Sequence, residues 1–388
     1  MGFFSSKQLK AFEGIPTPFF FYNLEVLEKT LLAITKELGG VNFKVHYAIK
    51  ANANNRILEL VKKHGFGIDG VSGNEVHKAI KVGFQPSDIA FAGVGKTDQE
   101  IRFAIEEGIY SLNVESIPEL IVIDELAASI GRKANVAIRL NPNINPNTHK
   151  YITTGLEENK FGINYWELPE LFNLLNGLQY IKFRGIHFHI GSQVRDLSVF
   201  KNLCNRVNEL QKEFYDRGFE LEHINVGGGL GVNYTDPDDE LIPDFHAFFN
   251  VFKQFIELKP QQELHFELGR AIVAQCASLI SSVLFVKKGI KTNFAIIDAG
   301  MTELIRPALY QSSHFVENIS NYGQERSHKY DVVGPICESS DCFGKALAMS
   351  STKRGDLIAI RSAGAYGQVM SSSYNLRDLA KTIYHDEI

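Results

Sequence analysis

The sequence predicts an α/β protein in which a (β/α)8 TIM-type barrel is followed by a C-terminal, mostly antiparallel β domain. Three observations support this prediction. Short strand-like runs recur along the first two-thirds of the chain, amphipathic helical stretches separate most of them, and turn-rich strands with few helices follow after about residue 275. At 388 residues the chain is also longer than one ordinary domain.

Eight runs have the length and apolar content of buried strands. In order they are FKVHYAI (43–49), GFGIDG (65–70), IAFAG (89–93), YSLNVE (110–115), NVAIRL (135–140), FRGIHFHI (183–190), EHINVGG (222–228) and ELHFEL (263–268). Helical patterns such as NNRILELVKKHG and GNEVHKAIKVG lie between them. A doubly wound sheet is the alternative. We favour the barrel because it gathers the unusual residues at the strand ends around one mouth.

Three regions are expected along the chain. Residues 1–24 form an N-terminal segment that packs with the C-terminal domain, residues 25–272 form the barrel, and residues 273–388 form the β domain. Segments such as TNFAIIDAG and DLIAIRSAGAYG carry the strand character of this last region, which suits a β-barrel or a sandwich.

Composition argues against several classes of function. A formal net charge of −5 gives no basic surface for nucleic acid and no polybasic arm for a membrane. No apolar run approaches the roughly 18 residues that span a bilayer. The four cysteines form no CxxC pair. We therefore expect a cytoplasmic enzyme with reduced thiols that acts on a small molecule.

The ends of the predicted strands carry residues that could do chemistry. They are Lys50 after the first run, His187 and His189 in the sixth, Gly227, Gly228 and Gly229 after the seventh, and Glu267 and Arg270 after the eighth. A lysine amine, glycines that let backbone N–H groups approach an anion, and a carboxylate together match pyridoxal 5'-phosphate (PLP). Taken singly, Lys50 could be a solvated lysine and the glycines a tight turn.

The two histidines of HFH allow a second hypothesis. Residues two apart on a strand share a face, so His187 and His189 could bind zinc, with His265 on the eighth run as a further ligand. That site would leave Lys50 and the glycines without a role. We therefore predict no metal.

Five motifs resemble the fold-type III PLP-dependent decarboxylases, and among them the enzymes that act on diaminopimelate. The motifs are YAIKAN, HFHIGSQ, GGGLG, GPICESSDCFGK and GAYGQVMSSSYN, in the family's order and over almost the whole chain. The resemblance implies a homodimer with active sites at the subunit interface. It also implies decarboxylation of meso-2,6-diaminopimelate at its D-centre to L-lysine and CO2, the last step of lysine biosynthesis.

The resemblance assigns the cofactor site residue by residue. Lys50 matches the lysine that forms the Schiff base, His189 the histidine that stacks on the ring, and Glu267 the carboxylate at the pyridine nitrogen. The other implied cofactor residues are Ser192, Gly227, Gly228, Gly229 and Tyr366 at the phosphate, Arg270 beside the substrate, and Asp69 and Arg139 in support of the lysine and ring.

Substrate recognition is implied by two further segments, to which Arg270 and Tyr366 add contacts. In RPALY, Arg306 and Tyr310 match the pair that binds the distal carboxylate, and an arginine fork suits a carboxylate because it donates two parallel hydrogen bonds. In CESSD, Cys337 matches a proton donor from the other subunit and Glu338 a substrate contact. The alternative for Cys337 is a buried structural cysteine.

The chain departs from the family's EPGR, since it reads ELGR with Leu268 in place of proline. Proline restricts φ, so the turn that carries Arg270 has a freer backbone here. The polar segment 141–162 is the candidate for a mobile element near the mouth.

Other activities are possible on the same fold. The chain could decarboxylate D-lysine or D-ornithine, or a polyamine-pathway substrate such as ornithine, arginine or carboxynorspermidine. A non-catalytic PLP-binding protein is a further alternative, although such a protein has no use for a proton donor.

Overall fold

The computed structural model describes residues 3–144 and 160–388, which divide into two compact units. The barrel unit comprises 31–231 and 244–269, and the sheet unit comprises the residues up to Thr30, 232–243 and 270–388. Residues 145–159, the greater part of the polar segment 141–162, lie outside the described residues.

The bounds of the described elements follow in chain order. The strands are β1 (Phe19–Tyr22), β2 (Phe43–Ala48), β3 (Gly67–Gly70), β4 (Ile89–Phe91), β5 (Ser111–Val114), β6 (Ala134–Arg139), β7 (Ile181–His187), β8 (His223–Asn225), β9 (Glu263–Leu268), β10 (Ala277–Lys288), β11 (Asn293–Ile297), β12 (Val316–Asn318), β13 (His328–Val333), β14 (Cys342–Met349), β15 (Leu357–Ile360) and β16 (Lys381–Tyr384). The helices are α1 (Ser6–Phe12), α2 (Leu24–Leu38), α3 (Asn55–Lys63), α4 (Gly73–Val82), α5 (Asp98–Glu107), α6 (Ile117–Ile130), α7 (Leu168–Leu175), α8 (Ser198–Asp216), α9 (Phe245–Phe255), α10 (Arg270–Val273) and α11 (Arg306–Tyr310).

Strands β2 to β9 form a closed parallel barrel. Each strand pairs in parallel with its neighbour, and β9 closes the ring on β2, with Phe43 opposite Leu264 and His46 opposite Glu267. Every residue of β3, β4, β5 and β8 is buried, as expected for strands that side chains cover on both faces. The predicted (β/α)8 architecture is confirmed, and the doubly wound alternative is wrong.

Local sequence signals fix where the barrel helices begin and end. The side chains of Ser72, Thr97 and Ser116 accept hydrogen bonds from the first turns of α4, α5 and α6. Gly83, Gly108 and Gly131 end the same helices in the left-handed conformation, which glycine adopts without strain. Each helix therefore ends soon after its apolar face has covered the strands.

The sheet unit is built on one eight-stranded sheet in which β12, β15, β10, β11, β13 and β14 lie in that order. The N-terminal strand β1 joins it by pairing antiparallel with β10, and it pairs in parallel with β16. Apart from β1 with β16 and β11 with β13, the pairings are antiparallel. The predicted mostly antiparallel β domain is confirmed.

Within the described ranges, no helix is both long enough and apolar enough to cross a membrane.

A layer of aromatic and histidine side chains fills one level of the barrel. The rings of His46, His223, His265 and Tyr110 pack together there, and His223 stacks on His265 with ring centres 4.7 Å apart. His46 Nε2 and His265 Nδ1 share a hydrogen bond of 2.9 Å. Both ring nitrogens of His223 are buried with no hydrogen-bond partner in the part of the chain that the structure describes.

This layer should make the barrel sensitive to acid. Burial lowers the pKa of all three histidines, and that of His223 lies well below its ordinary value of 6.5. The unfolded chain therefore binds more protons than the folded one as the pH falls below 6.5. Stability is full above that pH and declines below it.

His223→Phe should reduce this decline, since phenylalanine keeps the ring stacking and removes the unpaired nitrogens. We expect the slope of the unfolding free energy against pH to fall by up to about 1.4 kcal/mol per pH unit, the slope due to one proton. Urea unfolding between pH 4 and pH 8 measures the slope. The exposed His328→Phe serves as control, and an unchanged slope in His223→Phe would contradict the prediction.

Candidate active site

Lys50 lies in a short 3-10 turn, Ile49–Ala51, directly after β2 at the mouth of the barrel. The parallel register places Ala48 opposite Asp69, which brings Lys50 Nζ to 3.2 Å from Asp69 Oδ2. The side chain of Lys50 is 36% exposed, whereas that of Asp69 is fully buried. The amine is therefore anchored by a buried carboxylate and still accessible.

Asp69 keeps one carboxyl oxygen available for a further donor. Burial and then the negative charge of Glu267 raise the pKa of its carboxyl, the Lys50 ammonium opposes both, and the resulting pKa is about 7. Its Oδ1 is buried and accepts no hydrogen bond within residues 3–144 and 160–388. A carboxyl that titrates near neutral pH can exchange a proton with the amine beside it.

Glu267, in β9, is a buried carboxylate that accepts three hydrogen bonds. Oε1 accepts from Asn225 Nδ2 at 2.8 Å and from Asn113 Nδ2 at 3.2 Å, and Oε2 accepts from His187 Nε2 at 3.0 Å. Burial favours the neutral acid, but the charge and hydrogen bond of His187 and the charge of Lys50 outweigh it, so the pKa of Glu267 lies well below its usual range. Glu267 is therefore a fixed anion.

His189 follows β7 as a neutral ring. Burial lowers its pKa far below the ordinary value, and the positive charges of Arg139 and Lys50 lower it further. The N–H of Gly228 donates to His189 Nδ1 at 3.3 Å, so the ring hydrogen lies on Nε2. A neutral, flat imidazole is thus held at the mouth.

The glycine run after β8 is required by close packing. Gly227 and Gly229 have φ values of 69° and 111°, in the region that glycine favours. A Cβ at Gly228 would collide with the carbonyl oxygen of Glu267, and one at Gly227 with that of Phe188. The backbone can approach β9 this closely only because these residues have no side chains.

Arg139, at the end of β6, is held by a carboxylate that sequence analysis did not identify. Its Nη1 lies 2.7 Å from Glu115 Oε1, and both groups are buried. Glu115 also accepts hydrogen bonds from the backbone of Gly93 at 3.1 Å and of Gly162 at 3.0 Å. The carboxylate thereby ties together the loops after β4, β5 and β6.

In the sheet unit, Arg270 and Arg306 flank one tyrosine. Arg270 Nη1 donates to the Tyr234 hydroxyl at 2.8 Å, and the Arg306 guanidinium carbon lies 4.4 Å from the centre of the Tyr234 ring. Arg306 Nη1 also lies 2.7 Å from His314 Nε2. The ring of Tyr366 is 4.8 Å from the Arg270 guanidinium. The predicted Arg270, Arg306 and Tyr366 therefore belong to one cluster, together with residues that were not predicted.

The remaining predicted residues lie at more exposed positions. Ser192 is half-buried in the loop after β7, and Tyr310 is half-buried at the end of α11, one helical turn after Arg306. Cys337 is a free, exposed thiol, not the buried structural cysteine considered as its alternative. Its neighbour Glu338 accepts a hydrogen bond from the Tyr374 hydroxyl at 2.9 Å. Leu268 is buried as the last residue of β9 and pairs with Tyr47.

Sequence analysis missed several functional partners. These are Asn113, Asn225, Glu115, Tyr234 and His314, together with the role of His187 as the donor to Glu267. A polar residue within an otherwise apolar strand end, as in SLNV and HIN, is the signal that could have identified the two asparagines.

In the metal hypothesis, His265 would bind the ion together with His187 and His189, but it forms a hydrogen bond with His46 instead. Among the described residues, no group of three His, Cys, Asp or Glu side chains could hold a metal ion.

The mouth of the barrel fits PLP in its donor set. It offers an accessible amine at Lys50, an anion at Glu267 for a pyridinium nitrogen, and a neutral ring at His189. The glycine turn has backbone N–H groups that no side chain of its own covers, and Asp69 Oδ1 remains available to an incoming donor. Each functional part of the cofactor therefore has a chemically matched residue.

Comparison with known proteins agrees with this chemistry. A family model described as the pyridoxal binding domain of pyridoxal-dependent decarboxylases matches residues 24–274. The chain is 53% identical to diaminopimelate decarboxylase of Bacteroides thetaiotaomicron over 378 residues, 97% of each chain. It is 39% identical to the Helicobacter pylori protein of that name, over 94% of this chain and 89% of the relative.

A solved structure extends the comparison to the whole fold. Diaminopimelate decarboxylase of Helicobacter pylori, as a point mutant complexed with L-lysine, is similar with a TM-score of 0.91 and 36% identity. The similarity covers 98% of this chain and 94% of that one.

Gly228→Ala should distort the mouth, because the new methyl group would push against the carbonyl of Glu267. We expect the free energy of unfolding to fall by about 1–3 kcal/mol, as for other overpacked sites, and the affinity for PLP to fall with it. Urea unfolding and PLP titration measure both. Gly95→Ala is the matched control, since a Cβ there meets nothing within 4 Å. Equal behaviour of the two variants would contradict the prediction.

Proposed function

The chain belongs to the diaminopimelate decarboxylase family of pyridoxal-dependent decarboxylases, and from this membership we propose that it releases CO2 from the D-centre of meso-2,6-diaminopimelate to give L-lysine. It is a PLP-dependent carboxy-lyase, and this reaction is the last step of lysine biosynthesis. The substrate assignment depends above all on one observation. Arg306 is a buried cation that has no carboxylate partner among the described residues.

The cofactor supplies the chemistry that the side chains lack. When bound, PLP provides an aldehyde that condenses with amines and a protonated ring that accepts the electron pair left by departing CO2. Lys50 would anchor it, with Asp69 adjusting the charge of the amine, since the two groups lie 3.2 Å apart. Glu267 would keep the ring nitrogen protonated because its three donors and neighbouring cations hold it as an anion.

Other mouth residues would orient the bound group. His189 would lie flat against the ring, and its low pKa keeps a second positive charge away from the electron-accepting face. The glycines 227–229, with Ser192, would receive the phosphate. Arg139, fixed by Glu115, would support the ring.

The substrate has two carboxylates, of which one leaves and the other must be recognised. We assign the distal carboxylate to Arg306 and Tyr310, which project from the two ends of the five-residue helix α11. Arg270, beside Tyr366, would contribute a second cation. An arginine recognises a carboxylate through paired, charge-assisted hydrogen bonds, and a substrate without the distal carboxylate would leave the Arg306 charge buried and unmatched.

We further propose that the protein is a homodimer whose subunits complete each other's sites. Cys337 would donate a proton to the substrate carbon after CO2 has left, and Glu338 would contact the substrate. Both side chains are exposed in the single chain. Three apolar side chains of the following segment are also exposed, Tyr374 by 48%, Leu376 by 97% and Leu379 by 62%, which supports burial against a second subunit.

The alternative substrates lack such support. D-Lysine, D-ornithine and the polyamine precursors ornithine and arginine have no distal carboxylate for Arg306. A non-catalytic PLP-binding protein would not need an exposed thiol beside a substrate-binding carboxylate.

We also assign the enzyme to the cytoplasm, because its four cysteines are free thiols and not disulfides. We expect no nucleic-acid partner.

The direct test of the substrate is CO2 release by the PLP-loaded protein. Meso-diaminopimelate, D-lysine, D-ornithine and L-ornithine are assayed in parallel, and the chirality of the product is recorded. We expect release from diaminopimelate alone, with L-lysine as the product. Release only from a substrate with a single carboxylate would keep the cofactor assignment and overturn the substrate assignment.

The shared site can be tested with a heterodimer of two inactive subunits. Lys50→Ala should abolish activity and the visible absorbance of the lysine-bound cofactor, and Cys337→Ala should lower turnover by about 10²–10⁴-fold. The two variants are co-expressed with different tags, and the heterodimer is purified. If the cysteine acts across the interface, one of the two sites is intact, and activity should return to about half of wild type.

The control is a heterodimer of wild type with the Lys50→Ala/Cys337→Ala double variant. If the cysteine acts across the interface, neither site of this heterodimer contains both Lys50 and Cys337. A heterodimer of the two single variants that stays inactive, while the control is half active, would show that Cys337 acts within its own subunit.

A further inference from the structure

We propose that His314 and Tyr234 are positioning residues that orient Arg306 while leaving its charge uncompensated, and so determine the preference for a substrate with a distal carboxylate. We call these two residues the Arg306 clamp. The inference rests on the proposed function and extends it, because it identifies what makes Arg306 selective.

The hydrogen bonds around His314 fix its tautomer. Nδ1 lies 2.8 Å from the carbonyl oxygen of Arg361 and must donate, because a carbonyl oxygen only accepts. Nε2 is therefore the acceptor for Arg306 Nη1, at 2.7 Å. The His314 side chain is buried in the sheet unit. One N–H of Arg306 is thus held in a defined direction, and the rest of its donor fork is left for a ligand.

The carbonyl that orients His314 belongs to a rigid part of the sheet. The backbone N–H of Arg361 donates to the carbonyl of Phe315, at 2.9 Å, just where β12 pairs with β15. The side chain of Arg361 is buried and bridges Asp238 at 2.7 Å and Glu317 at 3.0 Å. These contacts fix the Arg361 backbone and hence the position of the His314 ring.

Tyr234 supports the same arginine from a second direction. Its ring centre lies 4.4 Å from the Arg306 guanidinium carbon and 4.9 Å from the centre of the His314 ring, in edge-to-face geometry. Its hydroxyl accepts from Arg270 at 2.8 Å. The clamp therefore restricts Arg306 on two sides and couples it to Arg270 without supplying a formal negative charge.

The neutrality of the clamp distinguishes Arg306 from three other cations with buried side chains among the described residues. Arg139 pairs with Glu115, Lys96 with Glu119, and Arg361 with Asp238 and Glu317. Arg306 instead has a histidine whose pKa is lowered to about 3 by burial and by the Arg306 charge, so that the ring is neutral at working pH. A buried cation with a purely structural role would be paired with a carboxylate, as the other three are. Arg306 is oriented but retains its charge for an anionic ligand.

His314→Phe tests the orienting hydrogen bond, since phenylalanine keeps the ring packing on Tyr234 and removes the acceptor. We expect KM for meso-diaminopimelate to rise about 10- to 100-fold with kcat changed little, the effect of losing one hydrogen bond to a charged group. The dissociation constant of D-lysine, read from the cofactor absorbance, should stay within about 2-fold, because D-lysine has no distal carboxylate. His328→Phe, at an exposed histidine of β13, is the control.

The pair His314→Gln and His314→Glu tests neutrality and covers the case in which His314→Phe does not fold. The two side chains have nearly the same shape and can both accept from Arg306, but only glutamate neutralises it. His314→Gln should keep the preference for diaminopimelate within about 5-fold of wild type, and His314→Glu should lose it by about 10-fold or more.

The outcomes separate this inference from the proposed function. If wild type does not decarboxylate diaminopimelate, the proposed function fails, and the inference fails with it. If wild type does so but the glutamine and glutamate variants behave alike, or if His314→Phe weakens both ligands equally, His314 has only a structural role and the inference alone is overturned.

Discussion

Closure of the barrel is the constraint on which the site depends. The pairing of β9 with β2 joins segments about 220 residues apart and puts Glu267 opposite His46. Lys50 follows β2 directly, so the same pairing brings the lysine and the carboxylate to one rim. Because all eight strands are parallel, every strand ends at that rim, and residues distant in sequence share one low-dielectric environment. Without closure, Lys50 and Glu267 would lie at opposite edges of the sheet.

In that environment two buried carboxyl groups acquire opposite properties. Asp69 has one partner, the Lys50 amine, and an unsatisfied oxygen, so burial dominates and raises its pKa to about 7. Glu267 accepts from two asparagines and a histidine, and its pKa falls instead. Both groups are buried, so the neighbouring charges decide the sign: His187 and Lys50 lower the pKa of Glu267, whereas the Glu267 anion raises that of Asp69. This pairing gives the mouth one permanent anion and one group that can exchange a proton.

Local sequence patterns were enough to predict the helices and strands. They also identified residues whose chemistry is unusual at the end of a strand. The eight strand runs, the (β/α)8 order and the strand-end positions of Lys50, Gly227–Gly229 and Glu267 could be predicted because periodicity and strand ends are local properties. The hydrogen-bond partners of these residues could not be predicted in this way. Asn113 and Asn225 resemble ordinary strand residues, and Glu115 an ordinary loop residue, until the barrel closes and places them around Glu267 and Arg139.

The sequence by itself therefore determined the architecture, the cofactor chemistry and the candidate residues for binding cofactor and substrate. Only the tertiary structure decided how those residues are charged and aimed. It gave Asp69 a raised pKa, made His189 neutral, and placed His314, instead of a carboxylate, against Arg306. The physical reason is that electrostatic interaction depends on distance and desolvation, which arise from contacts between strands and loops far apart along the chain.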